Sequence, residues 1–435
     1  MASPVRPDAA PETAIDHPAD VLQPGESRHA HFPCFDGLRA IAAGAVLLHH
    51  AGFATGFSIN QRFGQLLAHG DGGVSVFFLI SGFLLYRPFV ARHLSDRDPM
   101  SADRFWWRRG LRIFPGYWVA LIGIYVLFGF AKGSLSTPGD FLTYFGLTQI
   151  YDTTRYFHGV NQAWTLATEL SFYVFLPFYA FAVRAVARRF PLRKIRIEVL
   201  GLASLVVICV VWRLAWFAYD PFWTRYGPGQ TSRPGPAPFS SLATQYWLPS
   251  HLDLFALGMG LALVSVLVVH HRELVPSLTK VAAWIGTKPW LWWGLAAVVY
   301  TFACYGAGLP RNLVPLTGGQ FFLRQALYGI TAFLLLLPAV FGDQDRGMVR
   351  RFLRWTPVAY FGLVSYGVYL WHQAWIGYVR ESWLGQPPFS GPIVPVIVLA
   401  TVCSVATASL SYYLVERPVL RLKDNPPWRR RGAIA

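Results

Sequence analysis

From Phe35 to Val415 the chain alternates between apolar runs of about 20 residues and short segments holding Gly, Pro and most of the charge. Ten such runs fall near 36–56, 73–91, 113–131, 163–183, 198–217, 250–269, 288–305, 321–341, 357–378 and 393–415. A helix rises about 1.5 Å per residue, so each run matches a hydrocarbon core roughly 30 Å thick. The pattern predicts an all-α polytopic membrane protein with about ten transmembrane helices. Residues 1–31 are rich in Pro, Ala and acidic groups and hold no long apolar stretch, which predicts a disordered tail and not a signal peptide. The membrane domain is expected over 32–418, followed by a basic tail over 419–435 that contains Arg429, Arg430 and Arg431.

Charge gives the runs a direction. Of the 38 Lys and Arg residues, 28 fall in or beside one set of alternate connecting segments and 8 in or beside the other. Arg87 and Arg213 complete the count, inside spans. The excess of cations marks the cytoplasmic side, so both termini and both tails are expected there. The net charge of +16 invites a nucleic-acid reading, but the cations sit in short loops and not on one soluble face. Nucleic acid is therefore excluded as a partner and the lipid bilayer expected. Charged residues make up 14% of the chain, against about 25% in soluble domains. Cys34, Cys209, Cys304 and Cys403 are far apart and form no metal-binding spacing, so no metal is expected and packed thiols are. Arginine outnumbers lysine 33 to 5 and alanine is plentiful, which suggests a GC-rich bacterial source and hence a multi-pass protein of the bacterial inner (plasma) membrane.

Ionisable groups inside spans are the candidates for chemistry, because burying them in lipid is costly. Arg39 and His50 stand eleven residues apart in the first run, FDGLRAIAAGAVLLHHAGF. At roughly 100° per residue that is about three turns, so both point to one face, about 16 Å apart along the axis. His50 suits a general base, since an imidazole titrates near neutrality. Neighbouring His49 points elsewhere and reads as structural. Arg39 follows Asp36 by three residues, so it can form a structural ion pair or hold an anionic ligand. Glu169 in span four and His372 in span nine fall at a depth similar to that of His50, which predicts a shared polar cavity. There Glu169 could orient or charge-stabilise the imidazole, or simply pair with an arginine.

Other segments suggest binding. RFWWRRGLRIFPGYW sets Arg108, Arg109 and Arg112 at the cytoplasmic mouth, where guanidinium groups suit phosphate or act only as positive-inside anchors. GGVSVFFLISGFLLYRP places Ser81 and Gly82 within a span, as close-packing residues or as the wall of a narrow passage. Trp164 and Tyr173 flank Glu169, and Tyr366, Tyr369 and His372 form a stripe at spacings of three; these five are expected to line the substrate pocket. Arg87 is expected to snorkel to the inner boundary. His251 and Asp253, near the outer end of span six, are further acceptor contacts to consider. A secondary transporter would also bury His and Glu at midplane, but it should carry an internal repeat, and no convincing duplication is visible.

FDGLRA with its arginine and histidine, FFLISGFLLYRP, RRGLRIFPGYW, WTLATELSFY, SYGVYLWH and YYLVERP run in order over residues 35–418. Together they resemble the membrane acyltransferase-3 family of O-acyltransferases. The resemblance implies an acyl-CoA donor, acetyl-CoA first, as substrate with no tightly bound cofactor. It also implies transfer to a hydroxyl of a carbohydrate, glycolipid or related glycosylated acceptor, with Arg39 and His50 essential. The mechanism to test has acyl-CoA phosphates on Arg39, Arg108, Arg109 and Arg112. Its pantetheine arm would pass Ser81 and Gly82, and His50 would act as base with help from Glu169. The resemblance also leads one to expect an arginine near His251, which the local sequence SHLDLFALGMG lacks.

Overall fold

The computed structural model describes residues 32–129, 135–152, 155, 158–190, 193–219, 244–311 and 316–426. Tail 1–31 lies outside the described residues, as does 427–435 with its arginine triplet. Among the described residues all regular structure is helical. The principal helices are α1 (Cys34–Ala54), α2 (Gly73–Leu94), α3 (Ala102–Phe128), α4 (Trp164–Arg189), α5 (Lys194–Tyr219) and α6 (Leu252–His270). They continue with α7 (Pro289–Tyr305), α8 (Gly318–Val340), α9 (Thr356–Leu363), α10 (Ser365–Tyr378) and α11 (Ile393–Ser411).

Eight helical stretches among the described residues are long and apolar enough to cross a bilayer, and they coincide with predicted spans one to six, eight and ten. The chain is a polytopic membrane protein. Two predicted spans differ in form. The seventh is α7, which at 17 residues sits at the short limit for a crossing. The ninth is broken at Val364 into α9 and α10. The apolar run alone could not show that break. Just before it the chain presses against α1: a Cβ on Gly362 would stand 1.9 Å from the Asp36 carbonyl oxygen. Helix α3 begins eleven residues before its predicted span, because the arginine-rich segment continues the helix.

Helices α2 and α6 form the tightest pair. A Cβ on Gly82 would lie 2.3 Å from the Phe255 oxygen, and one on Gly258 would lie 2.1 Å from the Leu79 oxygen. Two glycines facing opposite backbones let the axes approach to contact, which is how helices associate in lipid without a hydrophobic gradient between them. Phe255 then stacks between Phe78 (4.8 Å) and Phe172 (4.0 Å) and fastens α4 to the pair. Opposite this core, Val199, Leu200, Val207 and Val211 of α5 and Val394, Val398, Val402 and Leu410 of α11 are exposed, an apolar outer face suited to lipid.

Candidate active site

Five helices enclose a cavity of about 100 Å³. From α1 it takes Arg39; from α2, Val74, Phe77 and Ser81; from α3, Arg109 and Arg112; from α4, Thr165, Glu169 and Tyr173; from α10, Ser365, Tyr366 and Tyr369. Spacing explains the supply. Arg109 and Arg112 are three residues apart and Glu169 and Tyr173 four, so each pair shares a helix face. Arg39 donates to Asp36 at 2.7 Å, forming the ion pair its spacing allows while still lining the cavity. Glu169 accepts hydrogen bonds from the Ser81 and Tyr173 hydroxyls, the latter at 2.6 Å.

Arg109 and Arg112 form no ion pair with any described residue, and the buried Arg109 Nε makes no hydrogen bond. The Arg109 guanidinium lies over the rings of Phe105 (5.7 Å) and Tyr173 (6.0 Å). Among the lining residues Glu169 is the sole carboxylate facing three arginines. Cations gathered in a low-dielectric wall attract an anion strongly, and guanidinium groups match phosphate oxygens two at a time.

His50 is not a lining residue. It lies farther along α1, where His372 Nε2 meets His50 Nδ1 at 3.0 Å. His372 is 1% exposed, and its Nδ1 faces the carbonyl oxygens of Tyr369 (2.8 Å) and Val368 (3.2 Å). His50 Nδ1 also faces the Val46 carbonyl at 3.0 Å. Arg39 shares the cavity with Ser365, and His50 meets His372, so α1 and α10 run side by side in the same direction. Tyr369 joins the two places: it lines the cavity, and its ring lies 5.7 Å from that of His372. Its hydroxyl is fixed by Thr165 (3.0 Å) and the Gln162 carbonyl (3.3 Å). The Phe77 ring stands 5.9 Å away from it, and these two aromatics bound the cavity on that side.

Several expected placements are corrected. Glu169 does not contact His50; its carboxylate is taken up by hydroxyls beside the arginines. Depth along a helix axis was readable from residue numbers, but the direction across the bundle was not. Arg108 turns away from the cavity and pairs with Asp424 at 2.9 Å. Gly82 is a contact of α2 with α6, and not a lining residue. Trp164 packs on Tyr246 (4.6 Å) and His251 (5.7 Å), outside the lining. His372 is a partner of His50, also outside it. Arg87, expected to snorkel, is not among these corrections: it bonds Ser265 at 3.2 Å and lies over the ring of Phe32, just before the start of α1.

The arginine missing from the sequence around His251 comes from another helix. Arg213 of α5 bonds the Ser250 carbonyl at 2.6 Å and Asp253 at 2.7 Å, a bidentate pair that only the tertiary fold assembles. Thr165 and Phe77 also escaped the sequence reading, because threonine and phenylalanine in an apolar run carry no signal. Among the described residues no group of His, Cys, Asp and Glu could hold a metal ion.

A family model described as an acyltransferase domain matches residues 32–415. The putative peptidoglycan O-acetyltransferase YrhL of Bacillus subtilis is 26% identical over 406 residues, 90% of this chain and 55% of that protein. Acyltransferase MdmB of Streptomyces mycarofaciens is 28% identical, over 91% of this chain and 93% of its own length. Nodulation protein 10 of Rhizobium leguminosarum is 25% identical, over 93% and 98%. The chain thus spans about half the length of the Bacillus relative and nearly all of the other two. No solved structure matches this chain. With the match running through all five helices that wall the cavity, the chain belongs to the acyltransferase-3 family.

Proposed function

We propose that this protein is an integral-membrane O-acyltransferase that takes an acetyl or other short acyl group from acyl-CoA on the cytoplasmic side. The acceptor is a hydroxyl of a carbohydrate, glycolipid or related glycosylated molecule. The observation that carries the donor reading is the pair Arg109 and Arg112, two guanidiniums with no carboxylate ion-paired to them among the described residues, in a cavity shared with Arg39. Coenzyme A supplies the phosphates such a pair would bind. Relatives named as a peptidoglycan O-acetyltransferase and an acyltransferase support the transfer reading. The bias of Lys and Arg supports ten crossings with both termini in the cytoplasm. The bacterial relatives support a bacterial inner membrane.

In this reading the phosphates rest on Arg109 and Arg112, with Arg39 beside them, and the pantetheine arm extends past Ser81 toward Tyr369. For the arm to reach His50, Phe77 and Tyr369 then turn aside, which breaks the bonds of the Tyr369 hydroxyl to Thr165 and the Gln162 carbonyl. His50 takes the proton from the acceptor hydroxyl as its oxygen attacks the thioester carbonyl. The carbon–sulfur bond breaks, and the proton passes from His50 to the departing CoA sulfur. The products are an ester and free CoA thiol, with the imidazole neutral again. Glu169 tempers the charge of the arginines and holds Ser81 and Tyr173 in place.

The test is acceptor-dependent release of CoA thiol by the purified protein in detergent, supplied with acetyl-CoA and a panel of glycans and glycolipids. Release with ester formation on one acceptor class is expected. Acetyl-CoA failing to bind or react with every acceptor would overturn the reading.

A further inference from the structure

We infer that His372 is a positioning residue that fixes the tautomer of His50 and leaves one defined nitrogen of His50 to act as base. The inference rests on the reading of His50 as the general base. A carbonyl oxygen accepts hydrogen bonds and never donates. His372 Nδ1 faces two of them, Tyr369 at 2.8 Å and Val368 at 3.2 Å, so Nδ1 carries a hydrogen. A neutral His372 is then bare at Nε2. That nitrogen meets His50 Nδ1 at 3.0 Å, so the shared hydrogen belongs to His50 Nδ1. The Val46 carbonyl, 3.0 Å from the same Nδ1, requires a hydrogen there as well. Three carbonyls and one imidazole contact thus agree on a single arrangement.

The opposite arrangement needs His372 protonated on both nitrogens. That would place an imidazolium on a side chain 1% exposed, with no carboxylate among the described residues hydrogen-bonded to it. It would also set the His50 Nδ1 lone pair against the Val46 carbonyl. In the arrangement assigned, His50 Nε2 is bare and makes no hydrogen bond to any described residue. When Nε2 takes the hydroxyl proton, the positive charge on His50 is shared through Nδ1–H with the His372 lone pair. The chain of carbonyl, His372 and His50 has the logic of a carboxylate orienting a catalytic histidine, with a neutral imidazole in the carboxylate's role.

The experiment compares His372→Phe, His372→Gln and His50→Ala in the full-length protein, measuring kcat, the KM for acetyl-CoA and the unfolding midpoint. Gln can accept from His50 Nδ1–H through its amide oxygen, whereas Phe can accept nothing. His372→Phe is expected to lower kcat by roughly 10²- to 10⁴-fold with KM within about 3-fold, and His372→Gln to recover most of that loss. A kcat for His372→Phe within about 3-fold of wild type, or no recovery by Gln, overturns the inference. Should the Phe variant not fold, the ¹⁵N resonances of His50 in the wild-type protein decide the matter. A protonated Nδ1 with a bare Nε2 supports the inference, and the reverse refutes it. His50→Ala separates the two levels. Full activity there sinks the base itself, whereas an inactive His50→Ala beside fully active His372 variants sinks only the positioning role.

Discussion

The two ends of helix α1 solve different problems with polar groups in lipid. Near its start, Arg39 is paired to Asp36 and opens on a cavity where Arg109 and Arg112 have no carboxylate partner among the described residues. Three turns on, His50 is not among the residues that line that cavity and is held nitrogen to nitrogen by His372. One end keeps charge poorly compensated and open to an anion. The other holds a ring by its Nδ1, with no hydrogen bond from its Nε2 to any described residue. In the function proposed above, the unpaired charge is where the donor binds and the specified hydrogen-bond direction is where the proton moves.

If that division holds, changes at the arginine end alter donor binding and leave the chemical step alone. The double variant Arg109→Ala, Arg112→Ala is expected to weaken acetyl-CoA binding by about 10²-fold or more, since a hydrogen bond to a charged group contributes roughly 1.5–3 kcal/mol. Arg108→Ala, which breaks only a pair with Asp424, should stay within about 3-fold by the same titration. Equal losses in both would erase the distinction between cavity and mouth.

Gly82→Val forces a branched side chain against the Phe255 carbonyl. Overpacking of this kind costs about 1–3 kcal/mol, so a lower unfolding midpoint is expected, with unchanged KM in the protein that folds. A selective rise in KM with normal stability would return Gly82 to the donor path.

Glu169→Gln keeps an oxygen for the Ser81 and Tyr173 hydroxyls and removes the cavity's one carboxylate. Acetyl-CoA should bind about 3- to 10-fold more tightly, because a repulsive charge near the phosphates is gone. A collapse of kcat with unchanged KM would instead tie Glu169 to the histidine end.

The smallest effect lies outside both ends. Arg155 beside Asp140, with Thr137 bonding the same carboxylate, holds the Asp140 carboxyl down at about 2. The stabilisation is complete above the ordinary carboxylate value of 3.8 and is lost as pH falls through about 2. Asp140→Asn at neutral pH should therefore speed amide hydrogen exchange in residues 135–152 about 2- to 5-fold and leave kcat unchanged, as expected for one partly exposed pair. Unchanged exchange would mean that the loop is held by Tyr117 and Trp247, whose side chains donate to the Tyr144 and Ile150 carbonyls.

Much of this could be read from the chain. Apolar runs placed the helices, because in lipid the backbone has few alternatives to a helix. The spacing of Arg109 from Arg112, and of Tyr366 from Tyr369, put each pair on a shared face, and all four line the cavity. Helical rise sets Glu169, His50 and His372 at one depth, which predicts one site. Helical rise fixes height but not rotation or neighbour, so it could not tell that Glu169 turns to Ser81 and Tyr173 while the two histidines meet. Nor could it show Arg213 crossing to Ser250 and Asp253, or Val364 breaking a continuous apolar run. Those features go with contacts between helices distant in sequence.

The most direct test measures acetyl-CoA binding and acyl transfer side by side in His50→Ala. The account predicts donor affinity within about 3-fold of wild type, with transfer lowered by roughly 10²- to 10⁴-fold. Retained transfer, or binding lost along with it, would contradict the separation of donor site and base along α1.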